Sequence, residues 1–194
     1  MIIGITGGIG TGKSVISSEL RRMGYAVYDS DTQAKRLIVE DPALRLRIQQ
    51  LFGSEAYRDG VYQTQWVAQR VFADPQLLAQ LNAIVHPAVR QDIHRWADSL
   101  LDEVVFVECA ILYTAGLDAL CDRVVAITAP QQVRLQRVIA RDHSTPERVL
   151  ARMRSQDAER DLLRADWVVN NDGVASINAL AQQIIDYIHS LPVK

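Results

Sequence analysis

The chain has 194 residues, of which 48% are hydrophobic and 23% charged, and its formal net charge at pH 7 is −2. This composition excludes a disordered chain, and the small net charge does not favour a general nucleic-acid or membrane-surface binder. No stretch approaches the roughly 18 apolar residues of a membrane helix, and Cys109 and Cys121 have no metal-type spacing. We expect a protein of the reducing cytoplasm, without a leader peptide.

Five short apolar runs predict strands, since each is rich in aliphatic residues and bounded by polar or turn-forming residues. The runs are residues 1–6, 25–28, 104–107, 124–127 and 167–169. Helical patterns lie between them, and the last one covers 174–190. Because short apolar strands that alternate with helices are typical of a parallel sheet covered on both faces, we predict an α/β fold with a five-stranded parallel sheet flanked by helices.

The segment 32–101 departs from this alternation, because it is long and largely helical. Asp41-Pro42 and Asp74-Pro75 are typical helix starts, and Asp59-Gly60 is typical of a tight turn. The sequence therefore predicts a helical insertion between the second and third strands.

The first strand is followed by GGIGTGKS, which fits the pattern G-x-x-x-x-G-K-[ST], and a helix is predicted over 14–23. Glycines let the backbone approach a phosphate, and the loop N–H groups with the helix N-terminus attract an anion. Lys13 would contact the β- and γ-phosphates, and the Ser14 hydroxyl would ligate Mg²⁺. An ordinary glycine-rich turn is the alternative, which the strand and helix on either side disfavour. The predicted contacts of ATP in this loop are Gly8, Gly10, Thr11, Gly12, Lys13, Ser14 and Val15.

This loop alone indicates only a nucleoside triphosphate, because GTPases, motor ATPases and small-molecule kinases share it. The guanine-specifying pattern Asn-Lys-x-Asp is absent from the sequence, which disfavours a GTPase.

Acidic residues follow two of the other strands: Asp29 and Asp31 follow the second, and Glu108 follows the third. Ligands of open parallel sheets bind beyond the carboxyl ends of the strands, and a kinase needs a carboxylate to accept the hydroxyl proton of its acceptor. We expect one acid of the first pair to cap the next helix, since Asp is a favoured N-cap, and the other to do chemistry. A solvated strand end without function is the alternative for Glu108.

The segment 131–164 is rich in arginine and contains no lysine. Most of these arginines are expected on a salt-bridged solvent face, whereas one or two would close as a lid over the phosphates. The spacing does not distinguish among Arg134, Arg137, Arg141, Arg148, Arg152, Arg154, Arg160 and Arg164.

Five stretches together resemble the dephospho-CoA kinase family, and they stand in that family's order. They are GITGGIGTGKS at 4–14, YDSDTQAKRL at 28–37, LNAIVHPAVR at 81–90, RDHSTPERVLARMRSQ at 141–156 and NNDG at 170–173. The resemblance spans nearly the whole chain. It implies a P-loop kinase fold in three parts: a nucleotide-binding core (1–31, 102–130 and 165–194), a helical CoA-substrate-binding part (32–101) and a lid (131–164).

The resemblance also implies the reaction, which is transfer of the γ-phosphoryl group of ATP to the ribose 3′-hydroxyl of dephospho-CoA with Mg²⁺. The partners would be small molecules, and neither nucleic acid nor membrane is expected. The catalytic residues would be Asp31 and Lys13, and Arg137 and Asn171 would add to the ATP site. The metal would be held by Ser14 and Glu108. The substrate-binding residues would be Thr6, Asp29, Asp31, His86, Pro87 and Leu112.

Two residues depart from the family pattern Asp-x-Pro-Leu-Leu-Phe-Glu after the third strand: Glu108 replaces the first acid and Thr114 the second. A neutral Thr114 cannot act as a charge. A nucleotide or nucleoside kinase on the same core, and an ATP-binding protein without transfer activity, are the alternative functions.

Overall fold

The computed structural model describes residues 1–154 and 162–192. Five strands of these residues form one sheet: β1 (Ile2–Thr6), β2 (Ala26–Asp29), β5 (Val105–Glu108), β6 (Arg123–Thr128) and β7 (Trp167–Asn170). A separate hairpin is formed by β3 (Tyr57–Arg58) and β4 (Val61–Tyr62). The order in the sheet is β2-β5-β1-β6-β7, with parallel pairing of β1 to β5, β1 to β6 and β6 to β7. The prediction of a five-stranded parallel sheet is confirmed.

Helices follow or connect these strands, as the alternating pattern predicts. Those in the described residues are α1 (Lys13–Arg22), α2 (Ser30–Glu40), α3 (Pro42–Phe52), α4 (Thr64–Ala73), α5 (Pro75–Asp98), α6 (Gln131–Asp142), α7 (Pro146–Arg154) and α8 (Ile177–His189). Short 3₁₀ turns cover Ser54–Ala56 and Asp118–Leu120. No helix in residues 1–154 or 162–192 combines the length and apolar character that a membrane span requires.

The chain divides into two compact units, one of residues 1–28 with the chain from 101 onward and the other of residues 29–100. In the first unit, the central strand β1 is buried between the sheet's other strands and the helices α1 and α8. Ile3 and Ile5 of this strand are fully buried in one core with Phe106 of β5. α1 and α8 contribute Ile16, Leu20, Leu180, Ala181, Ile184 and Ile188 to that core. The strand that carries the glycine-rich loop is therefore anchored in the core of the first unit.

The second unit is a group of helices, α2 to α5, with the hairpin β3–β4. Asp41 accepts hydrogen bonds from the N–H groups of Ala43 and Leu44, and Asp74 caps α5 in the same way. The two predicted Asp-Pro helix starts are thus confirmed. Asp59 and Gly60 both have positive φ, at 50° and 81°, which suits the tight turn of a hairpin and confirms the predicted turn there.

Two helix starts differ from the sequence expectation by two or three residues. α8 begins at Ile177 instead of residue 174, because the Ser176 side chain accepts a hydrogen bond from the Ala179 N–H and so caps the helix there. α2 begins at Ser30 because Asp29 caps it. In the predicted lid segment, α6 ends at Asp142 with His143 as its C-cap at φ 48°, and α7 follows. Residues 155–161 of that segment, including Arg160, lie outside the described residues.

Candidate active site

The loop from Gly7 to Gly12 joins β1 to α1 and depends on glycine at several positions. Gly7, Gly10 and Gly12 have φ of 146°, 79° and 95°, which side chains rarely adopt. A Cβ on Gly7 would also collide with the carbonyl oxygen of Ile127, and one on Gly10 would lie 2.7 Å from the carbonyl oxygen of Arg134. Neighbouring backbone therefore packs directly against the loop, and only glycine fits these positions.

Bonds within the loop converge on the carbonyl oxygen of Gly8. The main-chain N–H and the hydroxyl of Thr11 donate to it at 3.3 Å and 2.9 Å, and the Lys13 ammonium group lies 3.4 Å from it. The Lys13 side chain is thus folded back over the loop instead of extending into solvent. The loop holds a positive charge at the place where a phosphate chain would pass.

The N-terminus of α1 has no side-chain cap: its N-cap residue is Gly12, and no acidic residue lies in its first turn. Ser14 and Val15, in this turn, are exposed. A helix start of this kind leaves main-chain N–H groups available and carries the positive end of the helix dipole. Together with Lys13, it can bind an anion with several oxygen atoms, such as a phosphate chain.

Asn171 connects the loop to the end of β7. It is only 2% exposed, and its Nδ2 donates to the Thr11 carbonyl oxygen at 2.8 Å. Arg137 of α6 donates to the main-chain and side-chain oxygens of Asn171 at 3.0 Å and 3.2 Å. The structure thus brings both residues predicted from the family resemblance to the loop. The contacts that it shows are with the protein, so their contact with ATP stays a prediction.

Ile9 of the loop belongs to a second, smaller core shared with α6 and α7. It packs with Val138, Val149 and Met153, which are all buried. The described part of the predicted lid segment is therefore attached to the loop through an apolar side chain that GGIGTGKS alone does not single out.

Two predicted residues lie side by side at the carboxyl ends of β1 and β5, because Ile5 pairs with Glu108 and Thr6 follows Ile5. Thr6 is fully buried, and its hydroxyl has no hydrogen-bond partner within the described residues. Glu108 is only 8% exposed, and none of the described side chains pairs with its carboxylate. A carboxylate that no protein group pairs with can accept a cation such as Mg²⁺.

Leu112 lies in the core of the first unit. Its side chain is fully buried, and a Cβ on Gly4 would lie 2.7 Å from its Cδ1. Leu112 therefore packs against β1, and its contact with the substrate stays a prediction.

Asp29 and Asp31, in the second unit, have different surroundings. The Asp29 carboxylate accepts hydrogen bonds from the N–H and the hydroxyl of Thr32, at 3.0 Å and 2.9 Å. Asp31 is exposed in the first turn of α2, and its carboxylate has no partner among the described residues. The expectation that one acid of the pair acts as a cap is confirmed for Asp29.

His86 and Pro87 lie in the middle of α5, and both are half-buried. Burial, and to a smaller extent the positive charge of Arg90, lowers the pKa of His86 below its ordinary value. The imidazole is therefore neutral at pH 7, and it can donate or accept a hydrogen bond without carrying a charge.

The site residues thus fall into two sets, one in each unit. The loop, Thr6, Glu108, Arg137 and Asn171 belong to the first unit, and Asp29, Asp31, His86 and Pro87 to the second. Sequence reasoning did not single out Arg134, whose Nε donates to the Ile9 carbonyl at 2.9 Å. No signal in the sequence distinguishes it from the other arginines of its segment.

Comparison with known proteins gives a consistent picture. A family model described as dephospho-CoA kinase matches residues 1–176. The dephospho-CoA kinase of Porphyromonas gingivalis is 39% identical over 194 residues, which cover 99% of this chain and 95% of that protein. The Bacteroides fragilis enzyme of the same name is 34% identical over 190 residues, covering 96% of this chain and 92% of that protein.

Solved structures agree with these relatives. A Thermus thermophilus protein superposes with a TM-score of 0.83 at 34% identity, covering 100% of this chain and 98% of that one. The dephospho-CoA kinase of Campylobacter jejuni has a TM-score of 0.71 at 25% identity and covers 96% of both chains. A shikimate kinase of Acinetobacter baumannii, at 18% identity and a TM-score of 0.58 over 100% of this chain and 95% of that one, shares the fold alone.

Proposed function

The chain belongs to the dephospho-CoA kinase family, and we propose that it transfers the γ-phosphoryl group of ATP to the ribose 3′-hydroxyl of dephospho-CoA. The products are coenzyme A and ADP, and the reaction completes coenzyme A synthesis. The observation that carries this proposal is the glycine-rich loop with Lys13 folded over it and an uncapped helix start behind it. Such a loop binds a phosphate chain, and the family membership names the acceptor.

On this proposal the loop positions ATP. The N–H groups of the loop and of the first turn of α1 donate to the phosphate oxygens, and Lys13 balances charge on the β- and γ-phosphates. Gly8, Gly10, Gly12, Ser14 and Val15 contribute main-chain N–H groups, whereas Thr11 contacts ATP with its own N–H still bonded to the Gly8 carbonyl. Arg137 of α6 and Asn171, just after β7, border the nucleotide. Catalysis then comes mainly from positioning and from charge stabilisation, because phosphoryl transfer needs little covalent work by the protein.

Asp31 is proposed as the general base. It accepts the proton of the 3′-hydroxyl as the oxygen forms its bond to the γ-phosphorus, and the bond from that phosphorus to the β,γ-bridging oxygen breaks to release ADP. The support for this role is that Asp31 is exposed and, within the described residues, has no competing partner, whereas Asp29 is engaged as a cap.

Mg²⁺ is proposed as the cofactor, and the donors present fit it. Mg²⁺ prefers oxygen ligands and usually keeps several waters while it binds one or two protein groups and substrate phosphates. Ser14 is exposed and offers a hydroxyl beside the loop. Glu108 offers a carboxylate with no partner in residues 1–154 or 162–192. When bound, the ion would neutralise charge on the phosphates.

The remaining residues are proposed to bind the acceptor. The buried hydroxyl of Thr6 has no hydrogen-bond partner within the described residues and can bond to the acceptor. The lowered pKa of His86 favours a neutral imidazole, which can bond to a polar group of the acceptor. Asp29 caps α2, and Pro87 is proposed to contact the acceptor from the middle of α5. Leu112 packs beside Gly4 of β1. We place the enzyme in the cytoplasm, where its substrates are dissolved, since two cysteines in 194 residues do not resemble a secreted disulfide scaffold.

A panel of acceptors tests this proposal. ADP release from ATP and Mg²⁺ is measured with dephospho-CoA, nucleoside monophosphates and nucleosides as alternative acceptors. We expect turnover with dephospho-CoA to exceed that with every other acceptor. Preferential turnover of a nucleotide or nucleoside would assign another kinase reaction, and ATP hydrolysis without a phosphorylated acceptor would reject transfer altogether.

A further inference from the structure

Two side chains from outside the glycine-rich loop hold two of its carbonyl groups. Arg134 Nε donates to the Ile9 carbonyl at 2.9 Å, and Asn171 Nδ2 donates to the Thr11 carbonyl at 2.8 Å. They come from α6 and from the end of β7, which lie 125 and 160 residues away along the chain. Both therefore fix peptide units in the interior of the loop from a distant part of the fold.

Because the peptide bond is planar, these two contacts also set the direction of two main-chain N–H groups. In a planar trans peptide unit the C=O and the N–H point in opposite directions. The Ile9 carbonyl shares its unit with the Gly10 N–H, and the Thr11 carbonyl shares its unit with the Gly12 N–H. A donor that holds each carbonyl towards the protein therefore turns the paired N–H away from it.

The two N–H groups are available for a ligand. Neither the Gly10 nor the Gly12 N–H donates a hydrogen bond within the described residues, and both glycines are partly exposed. A partly exposed main-chain donor without a protein acceptor can bind an acceptor from outside the protein.

The positive charge of Arg134 is not balanced by a carboxylate of the described residues. Its Nη2 is buried without a hydrogen-bond partner, and no carboxylate of the described residues pairs with the guanidinium group. Burial lowers the pKa of Arg134 below its ordinary value. Holding the Ile9 carbonyl would need only a neutral donor, so a charge at this position suits a loop that receives an anion.

We propose that Arg134 and Asn171 are positioning residues, and that they orient the Gly10 and Gly12 N–H groups towards the phosphate chain of the nucleotide. This inference rests on the proposed function, in which a nucleotide is the ligand of the loop. Both side-chain polar atoms of Asn171 are engaged by Arg137 and Thr11. On this proposal the Asn171 side chain acts on the phosphates through the loop.

Affinities for ADP and adenosine test the role in phosphate binding. The variants are Arg134→Met and Asn171→Ala, each with a matched control that loses a similar bond elsewhere in the unit: Arg21→Met, whose arginine donates to the Val27 carbonyl, and Asn178→Ala, whose asparagine donates to Glu19. We expect each test variant to weaken ADP binding by about 10-fold or more, with adenosine binding unchanged and both controls at the parent's affinities. An equal loss of adenosine and ADP affinity, or no loss of either, overturns the proposal.

Amide signals of the protein labelled with ¹⁵N-glycine test the orientation of each peptide unit. In the parent we expect ADP to move the Gly10 and Gly12 signals, as hydrogen bonds to phosphate form. Arg134→Met should abolish the shift of Gly10 and keep that of Gly12, and Asn171→Ala should do the reverse. The signals of Gly24 and Gly53, outside the loop, report whether each variant is folded. Loss of both shifts in a folded variant, or of neither, overturns the assignment.

The outcomes separate this inference from the proposed function. A parent that binds ADP with the crossed pattern of shifts but does not phosphorylate dephospho-CoA refutes the function and supports the positioning roles. A parent that phosphorylates dephospho-CoA while its variants keep the parent's ADP affinity refutes the positioning roles alone.

Discussion

The Asp29 carboxylate accepts two hydrogen bonds from Thr32, one from its main-chain N–H at 3.0 Å and one from its hydroxyl at 2.9 Å. Asp31, one residue before that donor, has no such engagement with the described residues. The two acids of the DSD stretch are therefore chemically different: one holds the start of α2, and the other is available to accept a proton.

Substitution of each acid in turn should affect catalysis in one case and stability in the other. We expect Asp31→Asn to lower kcat by roughly 10²–10⁴ while the Kd for ATP stays near that of the parent, because the carboxylate acts on the acceptor proton. Asp29→Ala should lower the free energy of unfolding by about 1 kcal/mol through loss of the cap. Steady-state kinetics and urea unfolding measure the two effects. Near-parental turnover of Asp31→Asn would remove Asp31 as the base.

Lys13 should act through charge and shape together. Lys13→Ala is expected to weaken ATP binding and to lower kcat, because the ammonium group that lies 3.4 Å from the Gly8 carbonyl would no longer reach the phosphates. Lys13→Arg keeps the charge but replaces a compact ammonium with a planar fork, so we expect it to restore activity only in part. ATP titration with ADP-release kinetics measures both variants. Unchanged ATP binding and turnover in Lys13→Ala would refute the phosphate-binding role of the loop.

Two glycines with nearly equal φ form a matched pair. Gly12 and Gly24 have φ of 95° and 96°, but a Cβ on Gly12 would collide with Asn171 Nδ2, whereas one on Gly24 would meet nothing within 4 Å. We expect Gly24→Ala to cost roughly 1 kcal/mol of stability and to leave the KM for ATP unchanged. Gly12→Ala should cost more stability and raise the KM for ATP, because the Asn171 contact must shift. Equal effects of the two substitutions on the KM would contradict the close packing at Gly12.

The neutral state of His86 can be measured by NMR titration. We expect its pKa below the ordinary value of about 6.5, and Arg90→Gln should raise it without restoring that value, because burial is the larger cause and Arg90 the smaller. Arg95→Gln, on the same helix but paired with Asp92, is the control and should leave it unchanged. A pKa at or above the ordinary value would contradict the burial of this imidazole.

The lowered pKa of His86 also determines how the stability of the protein changes with pH. Between the ordinary pKa and the lowered one, the unfolded chain binds more protons at His86 than the folded chain does. The contribution of His86 to the free energy of unfolding is therefore full above the ordinary pKa and falls as the pH decreases towards the lowered value. His86→Gln should lose this pH dependence, which urea unfolding of both proteins at several pH values measures.

The sequence predicts the parts of the fold that depend on local pattern. The apolar runs identify the five strands, and Asp41-Pro42 and Asp74-Pro75 identify two helix starts, because burial and capping are encoded within a few residues. The strands β3 and β4 have two residues each, too few for a periodic pattern to predict.

The contacts around the loop depend on residues far apart in the chain, so the sequence predicts them poorly. Arg134 is one of eight arginines in its segment, and only the packing of α6 on the loop selects it to meet Ile9. The packing of Ile9 with Val149 and Met153 has the same origin. Asp29 and Asp31 look alike in the sequence, and the hydrogen bonds from Thr32 distinguish them.

The identity of the phosphorylated oxygen tests the central claim most directly. The protein is incubated with ATP, Mg²⁺ and either dephospho-CoA or its 3′-deoxy analogue, and the products are identified by mass and by ³¹P NMR. We predict a new 3′-phosphomonoester with dephospho-CoA, formed in equal amount with ADP, and no transfer to the 3′-deoxy analogue. Phosphorylation of the 3′-deoxy analogue, or of neither acceptor by a protein that binds ATP, would contradict the account.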